Sequence, residues 1–189
     1  MYKLKLKEVY KYRDDIQSQG LKDLCNYIKS IEPKIYNLCD VGVYAGESTI
    51  IFYNEFKQTI AIVAIDNWDV SNFKNTNRTE LETEVNNAEF NFNEQTRGLK
   101  RITKIKGNVE SQNVLLKIPN NYFDVIYVDT VNIPEKYQIH LKNMLNKLKP
   151  GGFIAGSNFN ISKKFNEAIY SVIGNPDKVF KDNSWIKKL

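Results

Sequence analysis

The chain has 189 residues and a formal net charge of +5, from 27 Lys and Arg against 22 Asp and Glu. That length suits one domain over 1–189, able to bury roughly 70% of its unfolded surface, and no run nears the ~18 apolar residues that a membrane span requires. The start alternates lysine with leucine (Lys3, Leu4, Lys5, Leu6, Lys7) and lacks the continuous apolar stretch of a secretory signal, so a cytoplasmic protein with no membrane partner is expected.

The two cysteines, Cys25 and Cys39, match no zinc or redox spacing and are expected as reduced core thiols. The basic excess gathers at the ends, in Lys3, Lys5, Lys7, Lys11, Arg13, Lys181, Lys187 and Lys188. No dense basic run interleaves with aromatics, so these charges read as solvated surface and nucleic acid is not an expected partner.

In chain order, residues 3–7 with Val9 and Tyr10 read as a short strand or arm. A helix over 14–31 follows, with Leu21, Leu24, Ile28 and Ile31 on one face, and Pro33 ends it; 1–33 is thus an arm and helix preceding the core at 34–189. Strand one spans 35–40, and a helix over 47–57 carries Ile50, Ile51 and Phe56. Strand two, 59–65, is an apolar run that suits a parallel strand buried on both faces, and it closes on Asp66. Residues 67–98 are polar, with a helix at 79–95 (Leu81, Val85 and Phe92 inward) and flanking loops that read as a cover over a pocket. Strand three is 101–106, ending at Gly107; strand four is 123–128, ending at Asp129. A helix over 134–148 begins at Pro134 and shows Tyr137, Leu141, Met144, Leu145 and Leu148 at helical spacing. Pro150-Gly151-Gly152 turns into strand five at 153–155, a helix covers 162–173, and 177–189 reads as a hairpin turning near Asn183-Ser184. Strands alternating with helices predict an α/β fold: a Rossmann-like three-layer sandwich whose seven-stranded, mostly parallel sheet ends in a C-terminal antiparallel hairpin.

Two features locate a site. The first is the glycine turn Asp40-Val41-Gly42-Val43-Tyr44-Ala45-Gly46-Glu47-Ser48 between strand one and its helix, where the backbone is open to a ligand. It is a poor dinucleotide cradle: relative to G-x-G-x-x-G, Tyr44 and Glu47 replace the second and third glycines, and Glu47 sets a negative charge where a phosphate would sit. The second is the set of acids at successive strand ends, Asp40, Asp66 and Asp129, on the sheet edge where such folds bind ligands. Asp66 is placed to accept from ribose hydroxyls, the adjacent Trp68 to face a purine, and Asn108 to read an adenine amino group. Any one acid alone reads better as a helix cap or turn former; together they point to a phosphate-free, positively charged nucleoside.

These residues resemble the class I S-adenosylmethionine-dependent methyltransferases, and within them the small-molecule O-methyltransferase branch. The first motif is Asp40, Gly42, Tyr44, Gly46 and Ser48; the second is 64–68, the third 122–129 and the fourth 145–156, and the match spans about 37–159. The resemblance implies S-adenosylmethionine as cofactor, its methionine part beside Asp40, Gly42, Tyr44, Gly46 and Ser48, its ribose on Asp66, and its adenine bordered by Asn67, Trp68, Asn108 and Val109. It implies methyl transfer to a hydroxyl of a small-molecule acceptor, with a homodimer allowed. Metal-dependent members hold a divalent cation such as Mg²⁺ after strands four and five, positions occupied here by Asp129 and Asn158. This chain departs from that pattern, with Thr130-Val131-Asn132 after Asp129 and Ser157 where an acid is usual, so a metal is doubtful. Asp129 is the best candidate for a catalytic group, with Asn132, Ser157 and Asn158 as orienting groups. The only histidine, His140, reads as a surface or helix-packing residue. A catalytically diverged relative that keeps the fold as a binding or assembly module is the alternative. The amino-methylation motif of nucleic-acid enzymes is absent.

Overall fold

The structure, a computed structural model, describes residues 13–69 and 78–189, without the side chains of 78–82, 84 and 85. The arm expected at 3–10, and the inward placement of Leu81 and Val85, lie outside the described residues. Helix α1 (Asp15–Ile31) opens on a capping box: Asp14 accepts from the Gln17 backbone N–H, and the Gln17 side chain accepts from the Asp14 N–H. The elements then run β1 (Asn37–Val41), α2 (Glu47–Glu55), β2 (Ala61–Asp66), α3 (Arg78–Thr96), β3 (Ile102–Lys106), α4 (Gln112–Leu115), β4 (Phe123–Val128), α5 (Pro134–Leu145), β5 (Leu148–Gly156), α6 (Lys163–Ile173), β6 (Lys178–Val179) and β7 (Trp185–Lys188).

The seven strands form one sheet in the order β3-β2-β1-β4-β5-β7-β6. Pairing is parallel from β3 through β5, and β7 runs antiparallel to both β5 and β6. Because side chains alternate along a strand, each central strand feeds two cores. Ile126 and Val128 of β4 pack with Tyr137, Leu141 and Met144 of α5 and Phe165 and Ile169 of α6. Val125 and Tyr127 pack on the other face with Leu21, Leu24 and Ile28 of α1 and Phe52 of α2. Both cysteines are buried free thiols.

Four local expectations are corrected. Ile31 is 41% exposed, since it sits at the frayed end of α1 rather than over the sheet. Ile60 is 69% exposed, because β2 begins one residue later and Ile60 belongs to the preceding turn. Helix α5 stops at Leu145, and Leu148 already opens β5, which carries Pro150-Gly151-Gly152 inside the strand across a register shift opposite Phe123 and Val125. The four-residue helix α4 was not expected.

Candidate active site

The strand order reverses between β1 and β4: β1 connects outward to β2, and the chain returns beside it as β4. A cleft opens there, outside the carboxyl ends of the strands, where α/β sheets bind ligands. The β1 and β4 exits almost touch. Gly42 takes φ +87°, and a Cβ on it would lie 1.9 Å from the Asp129 carbonyl oxygen, so only glycine fits. A cavity of about 460 Å³ lies to one side of this junction, lined among others by Asp66, Asn67, Trp68, Asn108, Val109 and Asp129. A second cavity of about 250 Å³, lined by Arg13, Gln17, Ala45, Glu47 and Ser48 among others, lies to the other side. Gly42, Tyr44 and Asp129 line both and form the neck between them.

The wall of the larger cavity is a closed hydrogen-bonded ring. Asp66 Oδ2 accepts from the Tyr44 backbone N–H at 2.8 Å and Oδ1 from the Trp68 N–H at 2.9 Å, while the Trp68 indole N–H donates to the Tyr44 carbonyl at 2.8 Å. Tyr44 and Trp68 both sit at positive φ, +48° and +44°. Non-glycine residues pay about 1–3 kcal/mol for such backbone, and it persists only where the surroundings fix it. Burial pushes the Asp66 carboxyl above its ordinary range, opposed by the backbone N–H groups that solvate its charge. Each carboxylate oxygen keeps a further lone pair for a ligand donor. Trp68 packs on Phe92 with ring centroids 5.4 Å apart, and Lys104 Nζ lies 4.4 Å from its ring centroid, so most of the indole serves the wall.

Asp40 is not at the cavity. It lies inside β1 on the same face as Leu38, turned beneath α2, and is fully buried. Its Oδ2 accepts from Ser48 Oγ at 2.8 Å and Thr49 Oγ1 at 2.6 Å; Oδ1 has no partner among the described residues. Burial, only partly offset by these two hydroxyls, pushes its carboxyl up to about 6. Asp40 therefore fastens the first turn of α2, which carries Ser48 to the second cavity. Gly46 lines neither cavity; at φ +90° it forms the N-cap of α2 against Phe92.

Asp129 stands at the neck with both oxygens engaged. Ser157 Oγ donates to Oδ1 at 2.5 Å, and the Arg13 guanidinium pairs with Oδ2. The Arg13 backbone N–H also donates to Glu47 Oε2 at 2.8 Å, which clamps the start of α1 across the second cavity. Burial opposes the Arg13 charge, but Asp129, together with Tyr127 and Asp40, more than offsets it and the guanidinium stays protonated. Asn158, at φ +70°, lines neither cavity, and its Nδ2 is buried without a partner among the described residues. This donor set does not fit a divalent cation. The one carboxylate at the expected position is neutralised by a guanidinium, and no group of three His, Cys, Asp or Glu side chains comes together among the described residues.

For His140 the surface reading is corrected, and the helix-packing one stands. The residue is 4% exposed and lines the larger cavity, because α5 turns its inner face toward the β3 and β4 exits. Arg13 and His140 were both missed as site residues. Their partners are 116 and 10–30 positions away, and no local spacing signals such contacts.

The Methyltransferase domain family matches residues 39–159, more than half of the chain. No curated protein sequence matches. Among solved structures, the chain is similar to apo CalS11, a TDP-rhamnose 3'-O-methyltransferase of calicheamicin biosynthesis (TM-score 0.61, 14% identity, 93% of this chain and 81% of that one). It is also similar to Aeropyrum pernix fibrillarin with natively bound S-adenosyl-L-methionine (TM-score 0.59, 13% identity, 90% and 75%). A third likeness is to S-adenosylmethionine-bound CalS10 of Micromonospora echinaspora, an amino pentose methyltransferase (TM-score 0.53, 13% identity, 76% of this chain), of which this chain spans 52%. These likenesses show the fold, and the proteins named differ in acceptor, so the fold alone does not select one. With the family match across the glycine turn and both strand-end acids of the cleft, the chain belongs to the methyltransferase domain family.

Proposed function

We propose that this protein transfers the methyl group of S-adenosylmethionine to a hydroxyl of a small-molecule acceptor. The observation that carries the reading is the ring of Asp66, Tyr44 and Trp68 on a cavity that joins a smaller one at Asp129. When bound, the cofactor supplies a methyl group on a positively charged sulfur. Asp66 takes the ribose hydroxyls, and Asn67, Trp68, Asn108 and Val109 border the adenine. The smaller cavity, with Arg13 and Asp129 of opposite sign beside Tyr44 and Ser48, complements the zwitterionic amino-acid end. Gly42 and Gly46 shape the turn, and Asp40 holds it from below.

The residues at the neck orient rather than attack. A bound sulfonium would supply its methyl group in exchange for the acceptor's hydroxyl proton, and the neck residues would hold the acceptor in line with it. Asp129, held by Arg13 and Ser157, fixes the approach; alignment of this kind is what an already reactive electrophile needs. No step is assigned to a metal. The test is methyl transfer from methyl-tritiated S-adenosylmethionine across a panel of hydroxylated small molecules, amines and RNA. Label on hydroxyl compounds, undiminished by EDTA, is expected; label confined to amines or RNA, or abolished by chelation, contradicts the reading.

A further inference from the structure

The wall of the larger cavity opposite Asp66 holds a second chain of polar groups. His140 Nδ1 lies 2.8 Å from Thr130 Oγ1, and His140 Nε2 lies 2.9 Å from Glu110 Oε1. Thr130 and His140 both line the cavity. The chain links the β3 exit, which carries Glu110, to the β4 exit, which carries Thr130, through α5. Asn143 of α5 strengthens the link, donating from Nδ2 to the Val109 carbonyl at 3.0 Å.

The chemistry of the three groups fixes the direction of every hydrogen bond. The Glu110 carboxylate only accepts, so His140 Nε2 carries the proton. Burial holds the imidazole below its ordinary range, opposed by Glu110 and assisted by Lys136, so the ring is neutral at neutral pH and Nδ1 accepts. Thr130 must then donate its hydroxyl proton to Nδ1. What remains toward the cavity is the Thr130 oxygen with its lone pairs, an acceptor and not a donor. Asn108 Oδ1, also at this end, accepts from the Glu110 backbone N–H at 2.9 Å.

We infer that Glu110, acting through His140, sets Thr130 as a one-way acceptor that selects an amino group on the nucleobase in the cavity, and so adenine over its deaminated counterpart, hypoxanthine. This rests on the proposed cofactor site and names its base selectivity. An exocyclic amine donates to Thr130 Oγ1; the carbonyl oxygen of hypoxanthine brings two acceptors face to face. Thr130 is the residue that touches the base, and His140 and Glu110 are positioning residues.

Two measurements on the full chain test this. His140 is the only histidine, so ¹⁵N-histidine labelling gives one imidazole spectrum, in which a neutral ring protonated at Nε2 is expected; a ring protonated at Nδ1 overturns the inference whether or not cofactor binds. Calorimetry then compares S-adenosylhomocysteine with S-inosylhomocysteine. Wild type is expected to prefer the adenosyl compound by about 10- to 100-fold, the range set by leaving a buried hydrogen-bonding group unpaired. Thr130→Val and the milder, partly exposed Glu110→Gln, which lets the ring reverse its tautomer, are each expected to cut that preference to about threefold or less. Binding of both compounds with equal affinity, or a preference unchanged in both variants, overturns the inference while leaving the cofactor site standing. Failure of folded wild type to bind either compound removes the site on which it rests.

Discussion

The two acids that flank the Gly42 junction are held in opposite ways. Asp66 is gripped by backbone N–H groups, one two residues ahead and one 22 behind, within a ring that includes its own neighbour Trp68. Asp129 is gripped by side chains, Arg13 from 116 positions away and Ser157 from 28. Backbone donors come with the turn itself and survive side-chain substitution. The Asp129 setting depends on two replaceable side chains. On the proposed reading, the nucleoside end is the fixed half of the site and the neck the half free to change acceptor.

The largest effect expected on this contrast is at the junction. Gly42→Ala combines left-handed backbone with a Cβ inside the Asp129 carbonyl, and it should cost about 3 kcal/mol or more in urea unfolding. A loss under about 1 kcal/mol would mean that the exits are not locked together. Next is the buried acid beneath the turn. The Asp40 carboxyl is raised from 3.8 to about 6 in the folded chain, so the folded state holds its proton more tightly. Its contribution is fully present below about pH 4 and lost as pH rises through about 6. Relative to wild type, Asp40→Asn should thus gain stability by about 2 kcal/mol between pH 4 and pH 7. A difference independent of pH would show that Asp40 is not buried as an acid.

Two smaller effects sharpen the comparison. Arg13→Met leaves Asp129 with Ser157 alone; a fully buried pair broken on one side costs about 3–5 kcal/mol, and with 17% and 24% of the two side chains exposed the expected loss is about 1–2 kcal/mol. It should weaken S-adenosylhomocysteine more than adenosine, since only the former reaches the second cavity. Ser157→Ala should cost about 1 kcal/mol or less in thermal unfolding and leave adenosine binding unchanged. Equal losses of adenosine and S-adenosylhomocysteine binding in Arg13→Met would erase the distinction between the two ends.

What was legible in the sequence follows the same division. Apolar runs and the glycine turn are local, and the parallel order and closing hairpin follow from them. Asp66, Asn67, Trp68, Asn108 and Val109 all fall on one cavity because each sits at the end of a strand whose position the alternation of elements dictates. Asp40 misled for a local reason: its parity along β1 places it with Leu38 beneath α2, and a run ending in an acid does not reveal which face that acid takes. Arg13 and His140 were illegible because their roles are made by packing. Arg13 looked like one more terminal cation, and His140 became a cavity residue only when α5 docked against the β3 and β4 exits.

The central claim is that the Asp66 ring holds the nucleoside of a sulfonium cofactor. Calorimetric titration of S-adenosylhomocysteine into the wild type and Asp66→Asn, each checked for folding by circular dichroism, tests it most directly. One site on wild type and an affinity about 10- to 100-fold weaker in Asp66→Asn are expected, the scale of a charge-assisted hydrogen bond to ligand. No binding to folded wild type, or equal affinity for both proteins, would contradict it.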